Sequence, residues 1–465
     1  MSALAQPAWQ ALAAFSGALA VLVVARWLWA MTLAGPVLYG EGAVAHAAVL
    51  ARDGAEYVAF TAPVFVAANY TPLYFHLASL GDPFIWGRLV SVACTLGVAG
   101  AIAWRARPAG VVVSAAMATA WLALAPVAIW GAAVKPDLLA LALTVAAVVV
   151  VDGRSDRSGR GDERWPAIAG VLVALAVAAK PTAALPALAL GAWLLATRRL
   201  AGAAYVTGAI VTSALALIAT PGGLAALRRH VVEHNALPWD PGQAALLVAL
   251  GALVIGVPVV GAIGLRAPRS AVAAYLVGGL GIAVLGGREG ATINYLLDAS
   301  AASALALASV APRLATMAPA PALAAAQLVA GLMLLDPLGV VAARSGTGAW
   351  RDPARILAAR ALPDGPILAE DSGLLVAQGR EPTVDDLFLW SRLADRGVID
   401  RAPLLAAIRA SGFVRIVSEV DLEALEQAPA YERQRWPAWL AGAVLERYAL
   451  ERRDGALHVY RPRER

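Results

Sequence analysis

The chain has 465 residues, 60% of them apolar and only 15% charged, with a mean hydropathy of +0.69. A soluble domain sits nearer half apolar and a quarter charged, so a wholly soluble protein is excluded. The net charge of +5 does not point to nucleic acid, because no basic face with interleaved aromatics accompanies it and arginine-rich loops are how membrane helices are oriented.

A helix crossing a bilayer needs about 20 mainly apolar residues. The first such stretch, 8–34, lacks a basic leader and is too long for the apolar core of a signal peptide, so it reads as an uncleaved first span. Segment 35–84 follows as a long, aromatic first loop, and a loop of that length in a compact protein is usually functional. Its 42–52 stretch reads as an amphipathic helix on the membrane interface, stopped at Gly54. Further apolar stretches lie at 85–104, 110–130, 137–152, 166–180, 182–197, 201–220, 243–264, 270–286, 298–312 and 321–341. The expectation is an α-helical polytopic membrane protein of about eleven spans. Cys94, the single cysteine, lies in one of these runs and reads as a small buried apolar residue.

Arginines at 105–107, 154–164, 198–199, 266–269 and 313 fall on one side of this layout, which the positive-inside rule makes cytoplasmic. Segments 35–84, 131–136, 221–242 and 287–297 then face outward, and an odd span count places the tail outside too. Charges are sparse up to Val341 and recur every few residues from Arg344, so a membrane domain, 1–341, precedes a water-soluble domain, 342–465. In the tail, Pro366–Glu370, Phe413–Ser418 and Leu457–Tyr460 read as strands, and Pro403–Ala410 and Val420–Gln427 as helices: a small α/β domain. It carries no phosphate loop, nucleophile elbow or metal-spaced His/Cys set, so catalysis is not expected there.

Ionisable groups at membrane depth are expensive, and Arg88, Lys135, Asp137, Lys180, Arg288 and Glu289 all lie near the outer span ends. The chain's two lysines each precede proline, in Lys135-Pro136-Asp137 and Lys180-Pro181-Thr182. Proline suits the start of a helix, so both lysines sit at helix entrances, where the dipole favours anions. Glu41 lies in a Tyr-Gly-Glu-Gly turn after the first span, between glycines that permit close backbone approach. For each charge the plain alternative is a side chain reaching to the headgroups, and for Tyr70, Tyr74 and Tyr295 it is an interfacial aromatic belt. What favours function is their convergence on one face.

This layout resembles the membrane-embedded glycosyltransferases of the GT-C class, especially the bacterial branch of protein mannosyltransferases and lipid A aminoarabinose transferases (glycosyltransferase family 39). The likeness covers about 1–312 in order and spacing. It rests on Tyr39-Gly40-Glu41-Gly42, Asn69-Tyr70-Thr71-Pro72-Leu73-Tyr74, Gly87-Arg88-Leu89, Lys135-Pro136-Asp137, Lys180-Pro181-Thr182 and Asn294-Tyr295. The resemblance implies an inverting transfer of sugar from a polyprenyl-phosphate donor to a lipid, glycan or protein acceptor on the outer face of a bacterial inner membrane. Glu41 would be the general base, Arg88, Lys135, Lys180 and Arg288 would hold the donor phosphate, and Tyr70, Tyr74, Asp137, Asn294 and Tyr295 would bind substrate. The family's first-loop motif is often an acidic pair, whereas here position 40 is glycine. No oxygen-rich cluster stands out, so no cofactor is required, and a divalent metal is compatible but not indicated. The competing readings are a transporter or flippase of a lipid-linked substrate, and a non-catalytic scaffold with a partner-binding tail. A transporter is expected to gather its polar groups at the bilayer midplane rather than at span ends.

Overall fold

The computed structural model describes residues 5–57, 61–154, 164–265, 270–338 and 350–464. The expected domain boundary at 341/342, the arginines at 266–269 and most of the 154–164 loop lie outside these residues.

Every apolar stretch expected to span contains a helix. The first half of the chain forms α1 (Ala5–Met31), α2 (Glu41–Leu50), α3 (Leu73–Ala78), α4 (Pro83–Ala106), α5 (Val111–Ala123), α6 (Ala125–Trp130), α7 (Asp137–Arg154) and α8 (Arg164–Ala179). The second half of the bundle adds α9 (Ala184–Thr197), α10 (Arg199–Ala219), α11 (Gly223–Leu227), α12 (Pro241–Gly264), α13 (Ala271–Leu285), α14 (Leu297–Ser309), α15 (Ala311–Leu314) and α16 (Pro319–Leu335). Among the described residues four helices, Ala5–Met31, Pro83–Ala109, Arg199–Ala219 and Pro241–Gly264, are long and apolar enough by length and composition to cross a membrane. The start signals are physical: Asp82 caps α4 by accepting from Phe84 N and Ile85 N, with Pro83 in the first turn.

At one end of the bundle, Arg105 donates to Ser309 Oγ (2.7 Å) and Asp152 Oδ2 (2.8 Å), while Asp152 Oδ1 accepts from Ala271 N. This joins the ends of α4, α7, α13 and α14, as the alternation of arginine loops requires. Segment 35–84 and the tail occupy the opposite end.

The tail contains a four-stranded sheet in the order β1-β2-β4-β3, with β1 (Ile367–Ala369), β2 (Arg415–Ser418), β3 (Tyr448–Asp454) and β4 (Leu457–Pro462). β1 and β2 are parallel, and the other pairings are antiparallel. Alternate residues serve opposite faces. Leu368, Ile416 and Tyr460 pack with Trp390 and Trp436, whereas Ile367, Val417 and Val459 pack with Ile356 and Leu375. The three strands expected from sequence are present; β3 was not expected, and 422–427 is a 3-10 helix.

Segment 35–84 differs from its expectation. Residues Glu41 to Ala48 are buried on every side, so α2 is no interfacial helix; Gly54 does cap the turn that follows it, at φ +65°. α2 is covered by α3, by α4 and by the tail, which docks on the first loop. Phe65 N donates to Thr383 O and Asp385 N to Phe65 O, Arg355 donates to Pro36 O, and Arg351 N to Val37 O. A Cβ on Gly42 would lie 2.2 Å from Gly373 N, so that contact is backbone against backbone. Gly42→Ala is expected to lower stability by roughly 1–3 kcal/mol through overpacking. Limited proteolysis should then release the tail faster than from the parent chain.

Candidate functional site

Between the bundle end and the tail lies a cavity of about 1940 Å³. Its side wall is apolar, built from Leu22 and Trp29 of α1 and Leu246 and Leu250 of α12. Leu22, Trp29 and Leu246 are themselves about half or more exposed on the bundle surface. Its floor is cationic and aromatic: Tyr70, Lys135, Lys180, Arg288, Asn294 and Tyr295.

The floor is set by breaks between helices. Lys180 ends α8 in an extended conformation, and Pro181 opens the next turn. Its Nζ donates to Asp137 Oδ1 (2.6 Å) and lies 5.1 Å from the Tyr295 ring centre. Asn294 Nδ2 donates to the same Asp137 oxygen (2.7 Å), and its own Oδ1 accepts from Thr292. Lys135 Nζ donates to Gly40 O (2.7 Å) and stands 5.9 Å from the Tyr70 ring centre. Arg288 Nη1 donates to Asn235 Oδ1 (3.1 Å) and to the Asn235 carbonyl.

The cations are not alike. Lys180 is neutralised by Asp137. Among the described residues neither Lys135 nor Arg288 has a carboxylate within ion-pair distance, since all their hydrogen bonds go to neutral oxygens. Burial holds the Lys135 ammonium below its ordinary pKa, and the acids that oppose this are led by Asp386. A half-buried cation without a counter-charge is costly unless something anionic visits it.

The roof comes from the tail and is balanced. Arg355 pairs with Asp371 (2.7 Å) and Glu419, Arg435 with Glu370 (2.7 Å), and Arg351 with Glu419. The Arg435 guanidinium lies 3.9 Å from the Tyr39 ring centre. Tyr39 OH donates to Asp386 Oδ1 (3.2 Å) and accepts from Phe388 N (2.9 Å).

Four expected site residues lie elsewhere. Glu41 is fully buried off the cavity, and both its oxygens are occupied. Oε2 accepts from Val37 N (2.7 Å), Leu38 N (3.3 Å) and Arg88 Nη2 (3.0 Å), and Oε1 from Val134 N (2.8 Å). A carboxylate so enclosed is not open to the cavity, which speaks against the general-base role expected of it. Arg88 is its fully buried partner and also donates to Ala30 O, Leu33 O and Gly35 O, closing the chain just past α1 and off the cavity. Tyr74 OH donates to Gly87 O (2.9 Å) and packs α3 on α4, off the cavity. Asp137 lies beneath the floor and positions Lys180 and Asn294. Lys135, Lys180, Arg288, Tyr70, Asn294 and Tyr295 are brought together as expected from sequence.

Sequence reasoning missed the tail's contribution. Asp386 looks like an ordinary helix cap, and it does cap Leu387–Asp395 by accepting from Leu389 N. The signal available was Asp385-Asp386, an acidic pair before an apolar run. His46 pairs with Asp385 at 3.2 Å, and Ala67 N donates to the same carboxylate. Among the described residues no three His, Cys, Asp or Glu side chains converge to hold a metal.

No protein-family model matches the chain, and no curated protein does. Among solved structures it is similar to ArnT from Cupriavidus metallidurans in the apo state, with a TM-score of 0.57 and 14% identity, over 96% of this chain and 98% of that one. It is also similar to ArnT from Cupriavidus metallidurans bound to undecaprenyl phosphate, with a TM-score of 0.55 and 14% identity, over 95% and 97% of the two chains. The whole architecture, tail included, is therefore a fold shared with these structures.

Proposed function

We propose that this chain is a membrane glycosyltransferase that moves a hexose or pentose from a polyprenyl-phosphate carrier to a lipid, glycan or protein acceptor. Its place would be the bacterial inner membrane, with the cavity and tail on the outer face. The observation that carries this reading is the pairing of two unneutralised cations, Lys135 and Arg288, with an apolar wall that continues onto the bundle surface. An anionic head on a long apolar tail matches both halves. The ArnT structure of the same fold with undecaprenyl phosphate bound supports it.

In the proposed reaction the acceptor hydroxyl attacks the anomeric carbon directly, with inversion. The Lys135 and Arg288 cations would stabilise the phosphate as its negative charge grows, which is where fixed cations in a dry site act most strongly. Lys180, already paired, would hold Tyr295 and Asn294 against the sugar. The polar lining comes from one end of the bundle, which favours transfer at a surface over passage through a midplane site.

The test uses purified protein in nanodiscs. It is expected to release undecaprenyl phosphate from undecaprenyl-phospho-hexose or -pentose when an envelope lipid and glycan extract is added. Undecaprenyl phosphate alone should raise Tm, and undecaprenol, which lacks the charge, should not. No release together with equal responses to the two lipids would overturn the reading. NMR of the product's anomeric configuration checks inversion.

A further inference from the structure

Direct transfer to a hydroxyl needs a base beside the acceptor, and Glu41 is enclosed. Five acids line the cavity: Glu289, Asp352, Asp386, Glu419 and Glu432. Glu289 is held by Arg392 at 2.8 Å, and Glu419 by Arg351 and Arg355. Asp352 caps Ala354 N on the exposed rim. Glu432 acts on Tyr431 and Arg435 in the roof. Asp386 Oδ1 is fixed by Leu389 N (3.0 Å) and Tyr39 OH (3.2 Å), while its Oδ2 makes no hydrogen bond among the described residues. Glu289 Oε2 also lacks a hydrogen-bond partner among the described residues, but that carboxylate is ion-paired, whereas Asp386 is in no ion pair among them. Of all the acids, it acts most strongly on Lys135.

Position 40 explains why an acid is needed from the tail. Gly40 has φ +75°, and a Cβ there would lie 2.8 Å from Lys135 Nζ. A side chain at 40 would be strained and would press on the lysine. The first loop thus presents Lys135 to the cavity while its own acid, Glu41, is enclosed off the cavity.

We infer that Asp386, carried in by the C-terminal domain, is the general base of the transfer. This rests on the glycosyl-transfer reading. Asp386 Oδ2 takes the acceptor hydroxyl's proton as that oxygen bonds to the anomeric carbon. The bond from that carbon to the phosphate oxygen breaks, and its electron pair leaves on polyprenyl phosphate beside Lys135 and Arg288. Tyr39, fixed between Asp386 and Phe388 N, is a positioning residue.

The electrostatics suit the role. Burial, the largest cause, raises the Asp386 carboxyl above its ordinary value; the Leu389 N–H and Lys135 oppose it, Asp385 adds to it, and Tyr39 OH opposes it. Tyr70 also faces this charge. Because the base must be ionised, activity is expected to fall as pH drops through a value above the ordinary one of an aspartate.

The test is Asp386→Asn, since asparagine caps a helix as well as aspartate does. Turnover of undecaprenyl-phospho-sugar is expected to fall about 10²–10⁴-fold, the range of general-base catalysis. Undecaprenyl phosphate should still raise Tm as in the parent chain, and the acid limb of the kcat–pH profile should vanish from the residual activity. Asp386→Glu should recover part of the loss. Undiminished turnover in Asp386→Asn, or turnover and lipid binding lost together, overturns the inference while the parent chain's activity keeps the function. A parent chain that neither turns over donor nor distinguishes the two lipids overturns both.

Discussion

Lys135→Met is expected to lower kcat/KM for the polyprenyl-phosphate sugar by about 10²–10³-fold, the scale on which losing one fixed stabilising group is felt. The same substitution should leave Tm unchanged or raise it. Lys135 is in no ion pair among the described residues, and its side chain's one hydrogen bond is to Gly40 O. A methionine fills the same length without the half-buried charge. Sites that hold charge for a substrate are destabilised for that purpose, and relieving them raises stability as it removes activity. Lys180→Met should behave oppositely, because Asp137 would be left buried and uncompensated at a cost of about 3–5 kcal/mol. Turnover and melting of the two variants, measured side by side, check the contrast. Equal losses of stability would remove the distinction between free and paired lysines on which the donor site is built.

Arg88→Met is expected to abolish the folded state, or to lower its stability by about 3–5 kcal/mol, because it leaves the Glu41 carboxylate buried without its cation. The backbone carbonyls of Leu33 and Gly35 would lose their Arg88 donor as well, while Ala30 O would keep only Leu33 N. Carbonyls at and beyond a helix end have no partner within the helix, so α1 would fray where it meets the first loop. Glu41→Gln should destabilise too, since its NH₂ would face donors: Oε1 and Oε2 both accept backbone N–H groups. Melting in detergent reads both. A stable, well-folded Glu41→Gln with no turnover would instead restore Glu41 to the chemistry.

Much of the architecture was legible from hydropathy alone, because a bilayer leaves a chain few solutions other than apolar helices. The helix starts at Asp82-Pro83 and Asp240-Pro241 carry their own caps and could be placed to within a few residues. Sequence also drew Lys135, Lys180, Arg288 and Asn294 toward one face, as their proline breaks and span ends dictate. It misplaced Glu41 because an acid between glycines looks solvated until Arg88 is seen beneath it. It missed Asp386 because a cap residue is unremarkable unless the Tyr39 hydroxyl arrives from 347 positions away. Strand β3 escaped because its residues alternate between partly buried and exposed at the sheet edge, with little apolar signal.

The docking of the tail on segment 36–67 has a consequence for exchanging parts between related chains. The backbone of Pro36 and Val37, the Tyr39 hydroxyl, the absent side chain of Gly42, the His46 ring and the Phe65 strand bridge all answer to groups in 351–388. A chimera that grafts a foreign tail onto this bundle would inherit mismatches at each of these points. The transferable unit is the tail together with the first loop, two pieces of chain far apart in sequence that have to be swapped as a matched set.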